Sequence, residues 1–314
     1  MGVDVKLINL KIRNFRVVKE ADIEVKRGIN ILYGPNAGGK STIIYALLAT
    51  MGIGVENLKR KPVLADAIEV VHGGSYVRLN MREGRYSCKA KDMKEPYELI
   101  FGTSGELPIE VIDGVQCYLK FWEEVGVRRV GYMFGDEVVV YNVGGSTSSI
   151  DVDGESVPLR LNVWDKQAWA QFTGKPHFFD GLYRSISWLT DIRYLHGGYA
   201  LKGDKWTPVE LLSYGEKKTL ALLLVSKYSD LIVVEGFEGG LHIDLALDLL
   251  SQLEDKIVIV ETHMGVVVGK GFERKWNIYY VENGVANRVS SLNDLLKTEL
   301  IQKEAELYTW VVGG

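Results

Sequence analysis

The segment Gly34-Pro35-Asn36-Ala37-Gly38-Gly39-Lys40-Ser41 sets glycines, a lysine and a hydroxyl in the order G-x-x-x-x-G-K-S. Those residue types at that spacing suit the holding of phosphate. Glycines let backbone N–H groups point at anionic oxygens, the lysine reaches terminal phosphates, and the hydroxyl that follows is a ligand for Mg²⁺. Asn36, Ala37, Gly38, Gly39, Lys40, Ser41 and Thr42 are therefore the expected phosphate-contacting residues. The plain alternative is a chance match in a chain with 34 glycines. The flanking sequence argues against it. An apolar run, Ile29 to Tyr33, enters the loop, and a helical stretch from Ser41 to about Met51 leaves it. Strand, glycine loop, helix is the order that sets a helix N-terminus against an anion.

A second segment, Leu212-Ser213-Tyr214-Gly215-Glu216-Lys217-Lys218, opens a helix expected over about Ser213–Lys227. Ser213 is placed as an N-cap, and Glu216 three residues on completes a capping box. Two apolar runs follow. Leu231–Val234 ends at Glu235-Gly236-Phe237-Glu238, and Ile257–Val260 ends at Glu261-Thr262-His263. The carboxyl ends of strands in an α/β sheet are where ligands collect.

The remaining elements must position these groups. Val5–Phe15 alternates apolar and polar residues as a half-buried strand does, and Ala21–Val25 reads as a second strand. From about residue 76 to 161, short alternating stretches such as Tyr76–Leu79 and Glu137–Tyr141 are separated by turn dipeptides, among them Asp113-Gly114 and Gly144-Gly145. This predicts an antiparallel β lobe inserted into an α/β core. Its aromatics, Tyr118, Phe121, Trp122, Tyr132 and Phe134, are expected to pack that lobe. Asn283-Gly284 between Asn277–Glu282 and Val285–Val289 is a hairpin signal, and Leu292–Val311 looks helical. No sustained heptad pattern is present, so no coiled-coil arm is expected.

Composition bounds the function. Of 314 residues, 46% are hydrophobic and 25% charged, which excludes a disordered or collagen-like chain. The 37 Lys+Arg against 41 Asp+Glu give a net charge of −4, so a uniformly basic nucleic-acid coat is excluded while a local basic groove is not. Lys59-Arg60-Lys61 and Arg128-Arg129 are the short basic clusters that such a groove would draw on; a solvated face explains them as well. Two cysteines, Cys88 and Cys117, cannot make a disulfide framework or a four-thiolate zinc site, and a reduced, cytoplasmic chain is the expectation. Met1–Asn30 lacks the apolar core of a signal peptide, and no run is long enough to span a bilayer, so no membrane insertion is expected.

The segment at Leu212–Glu216 has the form L-S-x-G-E. Together with the phosphate loop and the opening Ile12-Arg13-Asn14-Phe15-Arg16, the chain resembles the ABC-type ATPases of the RecF/SMC/Rad50-like P-loop family, over nearly its whole length. The resemblance implies an α/β P-loop NTPase fold, a single ABC-type ATPase head over 1–314. Lobe I would run over about 1–165 with the β-rich insertion at about 76–161, and lobe II, with the signature helix, over about 166–230. The core sheet would be completed by 231–291, with a C-terminal helix at 292–311. It also implies ATP and Mg²⁺ as cofactors, and an ATP-dependent homodimer in which Ser213 and Gly215 meet the nucleotide held by the other copy. Arg13 and Asn14 would lie near the nucleotide, Glu235 with Ser41 would attend the metal, and His263 would contact the γ-phosphate. Gln167 or Gln171 would be the metal-sensing glutamine; an exposed helical face accounts for either.

The resemblance has departures. The glutamate that polarises the attacking water in the family falls at Gly236, and the preceding aspartate is Glu235. Either Glu238 reaches the water, with Lys40 and His263 completing the site, or hydrolysis is slow. The expected function is an ATP-binding, ATP-hydrolysing head coupled to DNA or a protein partner. The alternatives are an ATP-dependent dimerisation switch with little hydrolysis, and the ATPase subunit of a transporter. About fifty residues follow His263, so a nuclease or other effector is expected as a separate protein.

Overall fold

The computed structural model describes residues 8–54, 66–80, 82–100, 116–152, 154–175 and 178–303. The chain begins with strands β1 (Ile8–Phe15), β2 (Val18–Val25) and β3 (Gly28–Tyr33), then helix α1 (Lys40–Thr50). Strands β4 (Ala67–His72), β5 (Ser75–Asn80), β6 (Arg85–Lys89) and β7 (Tyr97–Ile100) precede helix α2 (Gln116–Val125). Next come β8 (Arg129–Phe134), β9 (Glu137–Asn142), β10 (Ser149–Val152), β11 (Glu155–Pro158) and β12 (Arg160–Asn162). Helices α3 (Lys166–Thr173) and α4 (Tyr183–Thr190) lead to β13 (Ile192–His196), β14 (Tyr199–Lys202) and β15 (Lys205–Pro208). The last third alternates: α5 (Tyr214–Tyr228), β16 (Leu231–Glu235), α6 (Ile243–Gln252), β17 (Ile257–Thr262), α7 (Gly265–Arg274), β18 (Asn277–Glu282), β19 (Val285–Arg288) and α8 (Leu292–Leu296).

One 14-stranded sheet runs β12-β9-β8-β16-β17-β3-β18-β19-β2-β1-β4-β5-β6-β7. Its centre, β8-β16-β17-β3-β18, is parallel. These strands are apolar on both faces because both are covered, as parallel strands require. In β3, Leu32 joins a core with α1 and α2, while Ile29, Ile31 and Tyr33 join a core with α5, α6 and α7. Strand β17 lies between β16 and β3, with Thr262 level with Tyr33 at the mouth of the phosphate loop.

The β-rich stretch expected over 76–161 is present, but most of it extends the main sheet. Strands β4–β7 continue one edge beyond β1, β8 pairs in parallel with the core strand β16, and only β10–β11 stand apart. Tyr118, Phe121 and Trp122 lie on α2 rather than on a strand, and are buried, with the Trp122 indole donating to the Thr50 carbonyl of α1. Their spacing, with Cys117 and Val125, follows one helical face. Tyr132 is buried on β8 and Phe134 is exposed.

The expectation of reduced cysteines is corrected. Cys88 on β6 and Cys117 on α2 form a disulfide that ties the sheet's extended edge to the helix packed on it. The expected first strand is β1 from Ile8; residues 5–7 lie outside the described residues. So do Lys59-Arg60-Lys61 and residues 304–311 of the expected terminal helix, which within the described chain comprises α8 and a further turn to residue 303. Arg128 pairs with Glu123, and the Arg128 and Arg129 backbone N–H groups donate to Asp230. No helix among the described residues is long and apolar enough to cross a membrane.

Candidate nucleotide-binding site

The phosphate loop connects β3 to α1 and is shaped by close backbone approach. A Cβ on Gly34 would stand 2.1 Å from the Val281 carbonyl of β18, and one on Gly38 2.4 Å from the same oxygen. Only glycine fits at either place. Gly39 is left-handed and is the N-cap of α1, and no side chain caps that helix, which leaves its first N–H groups to an anion. Asn36 and Ala37 are exposed at the crest, with Ala37 also left-handed. Thr42 is buried in the first turn.

Lys40 folds back over the loop. Its ammonium donates to the Gly34 carbonyl at 3.0 Å and the Pro35 carbonyl at 2.8 Å. Burial lowers its pKa, opposed by Glu261 and then Glu238. The His263 Nδ1 atom lies 2.9 Å from the Gly34 carbonyl, a contact that requires a proton on Nδ1. His263 thus stands beside the loop, 3.4 Å from the lysine.

Glu238 is also in this cluster. Its Oε1 accepts the His263 backbone N–H at 2.9 Å, and its Oε2 is buried with no hydrogen-bond partner. Two residues earlier, Gly236 is left-handed with φ 57° and faces open space.

Glu235 is placed differently from the expectation. It accepts hydrogen bonds from the Tyr132 hydroxyl on β8 and, at 3.2 Å, from the Tyr45 hydroxyl on α1. Burial pushes its pKa up to about 7, opposed by the Tyr132 hydrogen bond. The Ser41 hydroxyl instead donates to Glu261 Oε2 at 2.7 Å, and Glu261 Oε1 lies 3.8 Å from the Lys40 ammonium. A serine hydroxyl and a carboxylate are hard oxygen donors of the kind Mg²⁺ takes alongside nucleotide phosphates, so the residues present fit that ion.

The loop after β16 is fastened from below by Lys218, which sequence reading passed over. Its ammonium donates to the carbonyls of Gly236, Phe237 and Gly239 at 3.1, 3.0 and 2.9 Å. The signal was a lysine one turn into α5, just ahead of its apolar run Leu220–Val225. The capping box is as expected: the Ser213 side chain accepts the Glu216 N–H while Glu216 accepts the Ser213 N–H. Gly215 and Gly240 let α5 and this loop touch, since a Cβ on Gly240 would overlap the Tyr214 ring at 1.9 Å. Gly215 thus lies against Gly240 of the acidic loop, while Ser213 is exposed at the capped start of α5.

The β1–β2 hairpin reaches the phosphate loop through Val17 and Val18, which bound the space beside Gly39. The side chains of Arg13 and Asn14 turn elsewhere, to Glu20 at 3.0 Å and Asp66 at 2.6 Å. Arg16 stacks over Phe15 and Tyr45. Gln167 and Gln171 are both exposed on α3. His242 is exposed at the start of α6, beside Asp244.

A glycine loop between a core strand and a helix, with the acidic strand β16 separated from the loop strand by β17, defines a P-loop NTPase. Residues 9–106 match the family model described as an AAA domain, less than half of the chain's length. No curated protein matches the chain. Among solved structures, the SMC head domain from Thermotoga maritima is 18% identical with a TM-score of 0.47, covering 91% of this chain and 99% of that one. An SMC head bound to the C-winged helix domain of ScpA is 16% identical with a TM-score of 0.47, covering 92% and 99%. A bacterial Atm1-family ABC exporter with ATP bound is 14% identical with a TM-score of 0.47; this chain spans 43% of its length and is itself covered over 98%. The chain's own phosphate loop and strand order, with the match of residues 9–106 to an AAA domain, are those of a P-loop NTPase.

Proposed function

We propose that this chain binds ATP with Mg²⁺ on the loop Gly34–Ser41 and hydrolyses it to ADP and phosphate, using Glu238 in place of the absent side chain at 236. The observation that carries this reading is the unpartnered Glu238 Oε2, held beside Lys40 and His263. Glu238 takes a proton from the attacking water, the new bond forms to the γ-phosphorus, and the bond to the β–γ bridging oxygen breaks. Lys40 and His263 balance and position the γ-phosphate. Bound Mg²⁺ would neutralise charge on the phosphate oxygens, held by Ser41 and a carboxylate of the site.

Ser213 is exposed at the capped start of α5, which supports a head-to-head dimer in which each signature helix start meets the nucleotide of the other copy. Closing and opening of that dimer would be coupled to DNA or to a separate effector protein. Gly236 supports a second reading, a dimerisation switch in which ATP binding alone drives closure.

The test is equilibrium binding of ATP to the full chain, followed by sedimentation with and without ATP, with Lys40→Ala as control. Wild type should bind and pass from monomer to dimer, and Lys40→Ala should do neither. Equal behaviour of the two proteins would overturn the assignment. Turnover above Lys40→Ala then separates the enzyme from the switch.

A further inference from the structure

We propose that Glu261, at the end of β17, is the carboxylate that holds the divalent ion with Ser41, and that Glu235 does not; this rests on the nucleotide-site reading above. The motif assigns the ion to the hydroxyl after the loop lysine, so the metal carboxylate must be the one that reaches Ser41. In this chain that group is Glu261, whose Oε2 accepts the Ser41 hydroxyl at 2.7 Å. Its position follows from topology. Strand β17 pairs directly with β3, with Glu261 level with Leu32 and Thr262 with Tyr33. Strand β16 is one strand further out, about 4.8 Å more in the pairing direction.

Glu235 is occupied on both oxygens. Tyr132 holds Oε1 and Tyr45 holds Oε2. The two tyrosines come from β8 and α1, so releasing Glu235 towards Ser41 would break both of these buried hydrogen bonds. Glu261 needs no such release. Its partners are Ser41 and Lys40, the two side chains that meet Mg²⁺ and phosphate in this class of loop. Among the described residues no three His, Cys, Asp or Glu side chains gather as a cage. The ion would therefore depend on Ser41, one carboxylate and the nucleotide, and loss of that carboxylate should be felt strongly.

The experiment measures Mn²⁺ binding by electron paramagnetic resonance on the full chain with a non-hydrolysable ATP analogue, and analogue binding in EDTA. Glu261→Gln keeps the shape of the side chain and removes its charge. We expect it to weaken Mn²⁺ binding about 10- to 100-fold with analogue affinity in EDTA retained. Ser41→Ala should show the same pattern, and Glu235→Gln should leave Mn²⁺ affinity within about twofold. A loss in Glu235→Gln equal to or larger than that in Glu261→Gln overturns the proposal. So does an unchanged Mn²⁺ affinity in Glu261→Gln. If wild type binds the analogue in EDTA no better than Lys40→Ala, the nucleotide-site reading itself fails and takes this proposal with it.

Discussion

Lys218→Met removes an ammonium that is 1% exposed and donates to three carbonyls of the loop carrying Glu238. Burial lowers the Lys218 pKa from 10.5 to about 8, with Glu238 and Asp136 opposing the shift. Each pH unit of such a gap corresponds to about 1.36 kcal/mol. Below about pH 8 the lysine is protonated in folded and unfolded chains alike, so the stability difference between wild type and variant is flat. Between about 8 and 10.5 the folded chain has released a proton that the unfolded chain still holds. The unfolded state binds more protons there, so wild-type stability rises with pH relative to the variant, by on the order of 3 kcal/mol across the window. Above it the difference is flat again. Urea unfolding of both proteins at about pH 7, 9 and 11 measures this. A difference that stays constant across those values would refute the desolvated ammonium. At neutral pH the variant also leaves three carbonyls without their donor, at roughly 1–3 kcal/mol for each group left unsatisfied, and turnover should fall as the loop slackens.

Gly38→Ala drives a methyl group to 2.4 Å from the Val281 carbonyl and should abolish ATP binding, read by equilibrium titration, with the core still folded by circular dichroism. Ser213→Ala breaks the capping box and should cost about 1 kcal/mol in urea unfolding; its loss of ATP-driven dimerisation, seen by sedimentation, should exceed what that destabilisation explains. Cys88→Ser opens the 29-residue disulfide link and should lower stability by on the order of 3 kcal/mol, matched by wild type under a thiol reductant.

The phosphate loop was legible because its chemistry is local: eight consecutive residues carry the glycines, lysine and hydroxyl. The capping box at Ser213 and the Asn283-Gly284 turn, whose two residues are left-handed in the structure, were legible for the same reason. What sequence reading missed depends on pairing across the chain. Which acidic strand end meets Ser41 is decided by β17 lying between β16 and β3, and nothing in Glu261-Thr262-His263 shows that order. The pairing of Cys88 with Cys117 needs α2 to cover β6, and two cysteines in a sequence read alike whether joined or free. Helix α2 itself left a signal in the spacing of Cys117, Tyr118, Phe121, Trp122 and Val125 that its aromatic, strand-like composition obscured.

The most direct test of the account is single-turnover ATP hydrolysis by wild type and Glu238→Gln, with ATP affinity measured on the same preparations. The account predicts that Glu238→Gln binds ATP as wild type does and hydrolyses it about 10²- to 10⁴-fold more slowly, the loss expected for a positioned base. Hydrolysis at the wild-type rate in Glu238→Gln would contradict it.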